Sequence, residues 1–198
     1  MPTRPPAATV TGSRVYLRPP RLADSAPFLA AARASRALHG TWTRPPETAA
    51  RFAEFVKRFA LRGRTPTHAA FLALRREDDA IVGTFNFSEI VRGAFRSTYL
   101  GYYAFAPHAG KGYMTEGMAL ALDTAFGLLA LHRVEVNIQP TNARSLALAQ
   151  RIGFTREGFS RRYVKIGGRW RDHVRFAMLA EDWRTLRRKH LGKRSRAP

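Results

Sequence analysis

Cysteine is absent from the 198-residue chain, which excludes disulfides, thiolate metal sites and a cysteine acyl-enzyme. No apolar run approaches the roughly 18 residues of a membrane-spanning helix, and the Pro-rich stretch Met1 to Pro6 has no export pattern. The expectation is a soluble, cytoplasmic protein. Acidic residues are scarce as well: 14 Asp and Glu face 34 Lys and Arg, leaving a net charge of +20 that attracts polyanions. At 45% hydrophobic and 24% charged, the composition is that of a folded protein, and the length suits one domain. That domain is expected over 1–183, followed by a basic tail over 184–198.

What is present alternates between two periods. Arg14 to Arg18 suits a half-buried strand, and Phe28 to Leu38 an Ala-rich helix with Asp24 and Ser25 as caps. Phe52, Phe55, Val56 and Phe59 share one face of a second helix that Gly63 would stop, and this stripe reads as core packing. Ala69 to Leu74 and Ile81 to Phe87 read as a hairpin, Thr98 to Phe105 and Arg133 to Ile138 as strands, and Asn142 to Ile152 as a capped helix. A last hairpin turns at Gly167-Gly168, and the arginines and lysines after Trp183 suggest a solvated basic helix that frays.

The most informative junction lies at Gly110-Lys111-Gly112, where a strand pattern gives way to a helix from Thr115 with Met118, Leu122, Ala125, Phe126 and Leu129 on one face. A helix N-terminus offers unpaired N–H groups and a positive dipole end, so such a turn can hold a pyrophosphate, with Lys111 at the rim. Gly-x-Gly turns also arise for purely conformational reasons. The Walker spacing fails because Lys111 lies between the glycines, and the Rossmann spacing fails because Thr115 stands where a third glycine belongs.

Taken together, Gly110-Lys111-Gly112-Tyr113-Met114-Thr115-Glu116, Leu131 to Val136, Asn142-Ala143-Arg144-Ser145 and Ile152-Gly153-Phe154 resemble the GNAT acetyltransferases in order and spacing. Asn86-Phe87-Ser88, Val91-Arg92-Gly93 and Gly168 to Val174 resemble the bacterial ribosomal-protein alanine N-acetyltransferases within them. The resemblance covers about residues 11 to 183. It implies an α/β fold with a mixed, strongly twisted sheet, helices on both faces and a splay between two central strands. It further implies acetyl-CoA as cosubstrate, its pantetheine along Tyr103, Ala104 and Phe105 and its pyrophosphate on Gly110, Lys111, Gly112, Tyr113, Met114 and Thr115. Asn142 and Ser145 would also contact it. Two positions depart from the family pattern: Pro107 stands where Gln or Arg is common, and Ala149 where a Tyr often protonates the leaving thiolate.

Acetyl transfer needs a neutral amine, a donor for the oxyanion and a proton for the thiolate. An α-amine, with a pKa of about 7.7–8.0, is partly neutral near pH 7, whereas a lysine amine at about 10.4 is far less so. Glu135 is the candidate base, acting through water, and Ser145 the candidate acid, with water as its alternative; a surface or ion-paired strand residue is the alternative for Glu135. His108, His132 and His173 read as structural, and no metal is expected. Tyr163 and Trp170 could border a peptide entrance, although core packing is the safer expectation. Three functions remain open: acetylation of the N-terminal alanine of a ribosomal protein, acetylation of a small amine, and RNA binding in ribosome assembly on a retained fold. Any contact with ribosomal RNA would be electrostatic.

Overall fold

The computed structural model describes residues 10–61 and 66–191. Gly63, Lys193, Arg194 and Arg196 lie outside the described residues. Eight strands form one mixed sheet: β1 (Val10–Thr11), β2 (Val15–Arg18), β3 (Ala69–Arg75), β4 (Ile81–Val91), β5 (Ser97–Ala104), β6 (Arg133–Ile138), β7 (Thr155–Ile166) and β8 (Arg169–Leu179). Their order is β1-β2-β3-β4-β5-β6-β8-β7, and every neighbouring pair is antiparallel except β5 and β6. That parallel pair holds only from Ser97↔Arg133 to Tyr99↔Glu135; beyond it the strands part.

Helices cover the two faces unequally. One face carries α4 (Tyr113–Asp123), α5 (Ala143–Ile152) and α6 (Ala180–Leu191), with Phe85, Phe87, Met118, Leu122, Leu148, Ile152 and Trp183 in one hydrophobic cluster. Here α4 is buried all round from Glu116 to Leu122, because it lies beneath both the sheet and its neighbouring helices. Of its expected facing residues, Met118, Leu122, Ala125 and Leu129 are buried and Phe126 is half-buried; Ala125 and Phe126 lie on the π turn Thr124–Leu128 that continues the helix, and Leu129 caps it.

The other face is covered over β2–β4 by α1 (Ser25–Ala34), α2 (Arg36–His39) and α3 (Ala49–Arg58). The Phe stripe of α3 packs there: Phe28 and Phe52 lie 4.7 Å apart, and Phe28 meets Phe105 edge-on at 5.2 Å. Truncating a buried Phe of this kind to Ala costs about 3–5 kcal/mol. The helix expected over 28–38 breaks at Ser35, whose hydroxyl donates to Ala31 O at 2.6 Å and accepts from the Ala106 amide at 2.8 Å. Asp24 stands at the N-cap of α1 but its side chain makes no cap hydrogen bond to that helix; buried, it accepts from both Arg18 Nη groups at 2.7 Å. Residues 184–191 are not simply a solvated tail, since Arg187 binds Asp123 through two 2.6 Å contacts and fixes α6 against α4; residues 192–198 lie outside the described residues. Trp183 is buried and donates to the same carboxylate.

Candidate active site

Where β5 and β6 part lies a cleft of about 1880 Å³, lined by residues of elements on both faces of the sheet, such as His39 of α2 and Ser145 of α5. Its walls include Gly101–Ala104, Val136–Gln139, the turn before α4 and the start of α5. The parallel register sets this opening, because Tyr99↔Glu135 is the last pair and nothing hydrogen-bonds across the sheet beyond it. Tyr102 reaches over the gap on the α5 side and donates its hydroxyl to Ser145 O at 3.1 Å. Burial pushes that phenol well above its ordinary pKa, so it stays protonated.

Strand alternation decides which backbone groups face the gap. The amide of Phe105 donates to Val82 O at 2.8 Å, on the β4 side, and the same parity turns Tyr103 toward β4. The groups that look into the gap are therefore those of Leu100, Tyr102 and Ala104. Of the residues expected along the pantetheine, Phe105 has its amide engaged and its ring buried in the second cluster, and Tyr103 lines the cleft while packing against that cluster. Its phenol is pushed up to about 12 by burial. The Ala104 carbonyl already accepts from His39 Nε2 at 2.8 Å; burial lowers the His39 pKa, keeping the ring neutral.

At the turn, Gly110 and Gly112 adopt φ of +80° and +83°, a region open to glycine and strained for other residues. A Cβ on Gly110 would point into open space, whereas one on Gly112 would lie 3.1 Å from Arg14 Nη2. Within Ala109–Glu116 only Thr115 and Glu116 among the described residues place their amides on a backbone acceptor, both on Gly112 O. The amides of Gly110, Lys111, Gly112, Tyr113 and Met114 thus remain as donors at the positive end of α4. Arg14 supports the turn from below, donating to Lys111 O at 3.2 Å and stacking 5.2 Å from the Tyr113 ring centre. Glu116 clamps Arg14 to α4. Burial would raise its carboxyl pKa, but the amides of Arg14 and Val15, the Arg14 guanidinium and the Ser13 hydroxyl outweigh that and hold it low.

Asn142 caps α5, its Oδ1 accepting from the Ser145 amide at 3.2 Å, and both residues line the cleft. Glu135 does not line it; Arg133 Nε donates to Glu135 at 2.9 Å while the same guanidinium holds Glu157. Asn137, two residues on, does line the cleft, and its Oδ1 is buried without a partner. Trp170 is 60% exposed, so the hairpin tip is not core, and Tyr163 lies 3.4 Å from Tyr99 through their hydroxyls.

These features form an opening for an extended chain that ends on a ring of free amides, with arginines Arg14, Arg144 and Arg151 also on the cleft wall. A family model described as an acetyltransferase (GNAT) domain matches residues 14–155. The chain belongs to the GNAT acetyltransferase family. It is 42% identical over 105 residues to the probable N-acetyltransferase YjcK of Bacillus subtilis, covering 53% of this chain and 58% of that protein. It is 40% identical over 107 residues to the [ribosomal protein uS5]-alanine N-acetyltransferase of Escherichia coli, covering 54% and 55%. The chain thus spans little more than half the length of these curated relatives. Among solved structures, Mycobacterium smegmatis RimJ in complex with CoA-disulfide superposes with a TM-score of 0.80 at 28% identity, covering 88% of each chain. The GNAT fold accounts for the mixed sheet, the splay and the placement of α4. Arg14, His39, Tyr102 and Asn137 join the cleft from separate elements and were missed by sequence reasoning. Of these, only Asn137 had a local signal, as a polar residue between apolar neighbours near the end of β6.

Proposed function

We propose that this GNAT domain transfers acetyl from acetyl-CoA to the N-terminal α-amine, alanine by preference, of a ribosomal protein. The observation that carries the reading is the strand gap running into the free amides of the α4 turn, which fits a pantetheine arm and its pyrophosphate. The RimJ structure with CoA-disulfide and the uS5-alanine relative support the cosubstrate and the acceptor class respectively.

In this reading the pantetheine pairs with the gap-facing backbone of Tyr102 and Ala104, and the pyrophosphate sits on the free amides of Gly110 to Met114; the Thr115 amide, expected there as well, is taken by Gly112 O. The acceptor arrives from the face opposite α4. Asn137 Oδ1 accepts an N–H of the amine and turns its lone pair to the thioester carbon. Attack forms the C–N bond and a tetrahedral oxyanion, which a gap-facing amide of β5 stabilises. Collapse breaks the C–S bond, and the Ser145 hydroxyl supplies the thiolate's proton and recovers one from water. The amine's proton leaves through water toward Glu135. An α-amine of pKa about 8 asks little of that base, which suits a carboxylate shared with Arg133.

A polycationic small amine is a poorer fit, because Glu135 and Glu157 are both engaged by Arg133 and the open face carries further arginines. The test is acetylation of short peptides beginning with Ala, Ser or an N-blocked residue plus internal Lys, set beside spermidine. Transfer to free Ala termini is expected. Transfer to spermidine or to internal Lys alone would reject the acceptor assignment.

A further inference from the structure

The open half of the sheet carries a strip of cations for which acetyl-CoA gives no reason. Asn137 pairs with Arg175 across β6 and β8, so both side chains share the acceptor face. Alternation along β8 then puts Arg171 and Arg169 on that face too, with buried His173 between Arg171 and Arg175. Ile166, which pairs with Arg169, and His173 both line the cleft. The strip therefore leads outward from the acceptor end of the opening.

Among the described residues, none of these three arginines lies within ion-pair distance of a carboxylate, and the Nε atoms of Arg171 and Arg175 are buried without a partner. Buried donors left unpaired are costly, which points to a ligand that completes them. The carboxylates nearest in the sheet, Glu135 and Glu157, are held by Arg133. Arg44 approaches the hairpin tip at Gly167 and adds a cation to the other side of the mouth.

We propose that Arg169, Arg171 and Arg175 dock an acidic segment directly behind the acceptor's N-terminal residue. This deepens the peptide-acceptor reading and rests on it. At about 3.3 Å per residue, Arg175 to Arg171 spans about 13 Å, the reach of roughly four residues of an extended peptide. The acceptor thus carries Asp or Glu within about its first six residues. Charge complementarity gives specificity and steering, and arginine forks match carboxylates in pairs. A ribosomal protein that is basic overall but begins with an acidic leader fits this strip, and the leader offsets the repulsion its body would meet.

The test uses C-terminally labelled peptides that begin with Ala and differ only at positions 3–5, which are Glu, Gln or Lys. Binding to the full chain saturated with coenzyme A is read by fluorescence anisotropy at low and high salt, and turnover is read with acetyl-CoA. The Glu peptide is expected to bind about ten-fold tighter than the Gln peptide, with Lys weaker still and high salt closing the gap. Arg171→Gln and Arg175→Gln should reduce the preference to about three-fold or less. Arg169→Gln, at the exposed hairpin tip, repeats the test without touching a buried group, while Arg188→Gln on exposed α6 surface should leave it intact. Equal binding of the three peptides, or a preference that ignores these arginines, overturns the proposal. So does the finding that a short RNA oligonucleotide, and no peptide, loses affinity in the same variants. Preferential binding of the Glu peptide without acetylation would sustain the docking strip and reject the proposed activity; acetylation without charge preference would do the reverse.

Discussion

The two sides of the strand gap are built from different materials. Toward α4 the wall is backbone: gap-facing β5 peptide groups and the free amides of Gly110 to Met114. Toward the acceptor face it is side chains drawn from separate strands, with Asn137 from β6 and His173 from β8. A backbone wall depends on conformation and tolerates many sequences, whereas a side-chain wall depends on identity and sets which acceptor fits. Substitutions that distort the turn should therefore harm cosubstrate binding severely, and changes on the acceptor face should leave it untouched.

The largest effect is expected at Gly112. Its φ of +83° and the 3.1 Å approach of Arg14 leave no place for a branched side chain. Gly112→Val should raise the KM for acetyl-CoA by about 100-fold or more, since several charge-assisted hydrogen bonds of about 1.5–3 kcal/mol each are misaligned together. Steady-state kinetics with acetyl-CoA varied would show it, and a shift confined to the acceptor KM would contradict the backbone wall. Ser145→Ala comes next, with a fall in kcat of about 100-fold, the lower end for loss of a positioned acid. An unchanged kcat would remove Ser145 from proton transfer.

How far the sequence discloses each wall follows from the same division. The turn is contiguous, so Gly110-Lys111-Gly112 followed by a helix is readable in one window. The gap-facing groups are not, because whether Tyr103 or Tyr102 looks into the opening depends on the β4 register that places Phe105 N on Val82 O. Asn137 and Arg175 meet only through cross-strand pairing, 38 residues apart by their numbers. The helix break at Ser35 was likewise hidden, since the Ala106 amide that engages its hydroxyl arrives from the segment that follows β5. Glu135 shows the converse: its strand position is legible, but its pairing with Arg133 and its place behind the cleft wall, from which it can act only through water, are not, while Asn137 lines the cleft.

Smaller effects separate support of the turn from contact with substrate. Glu116→Gln should cost about 1–3 kcal/mol in urea unfolding, because an amide cannot replace the charged acceptor of four donors. The native Glu116 pKa lies below its ordinary value, so the stability its charge contributes is fully present above the ordinary carboxylate pKa. It is lost as pH falls through the lowered one. The difference between the native protein and Glu116→Gln should accordingly shrink in acid; a constant difference from pH 7 to pH 3 would discard the clamp. Asn137→Ala should lower kcat/KM for the acceptor about ten-fold, the worth of one hydrogen bond, with the KM for acetyl-CoA unchanged. A rise in that second constant would place Asn137 on the cosubstrate's side.

The smallest effect probes the comparison most directly. Lys111 is the only Lys or Arg within the turn itself, yet it is exposed, with its carbonyl rather than its ammonium held by Arg14. If the anion rests on amides, a solvated ammonium adds about 0.2–1 kcal/mol, so Lys111→Ala should raise the KM for acetyl-CoA by no more than about five-fold. Salt should erase even that, because exposed charges are screened over about 8–10 Å at physiological ionic strength. A loss above about ten-fold that persists in high salt would mean that side-chain charge grips the phosphates. The backbone wall would then share the acceptor side's dependence on residue identity, and the contrast between the two sides would no longer hold.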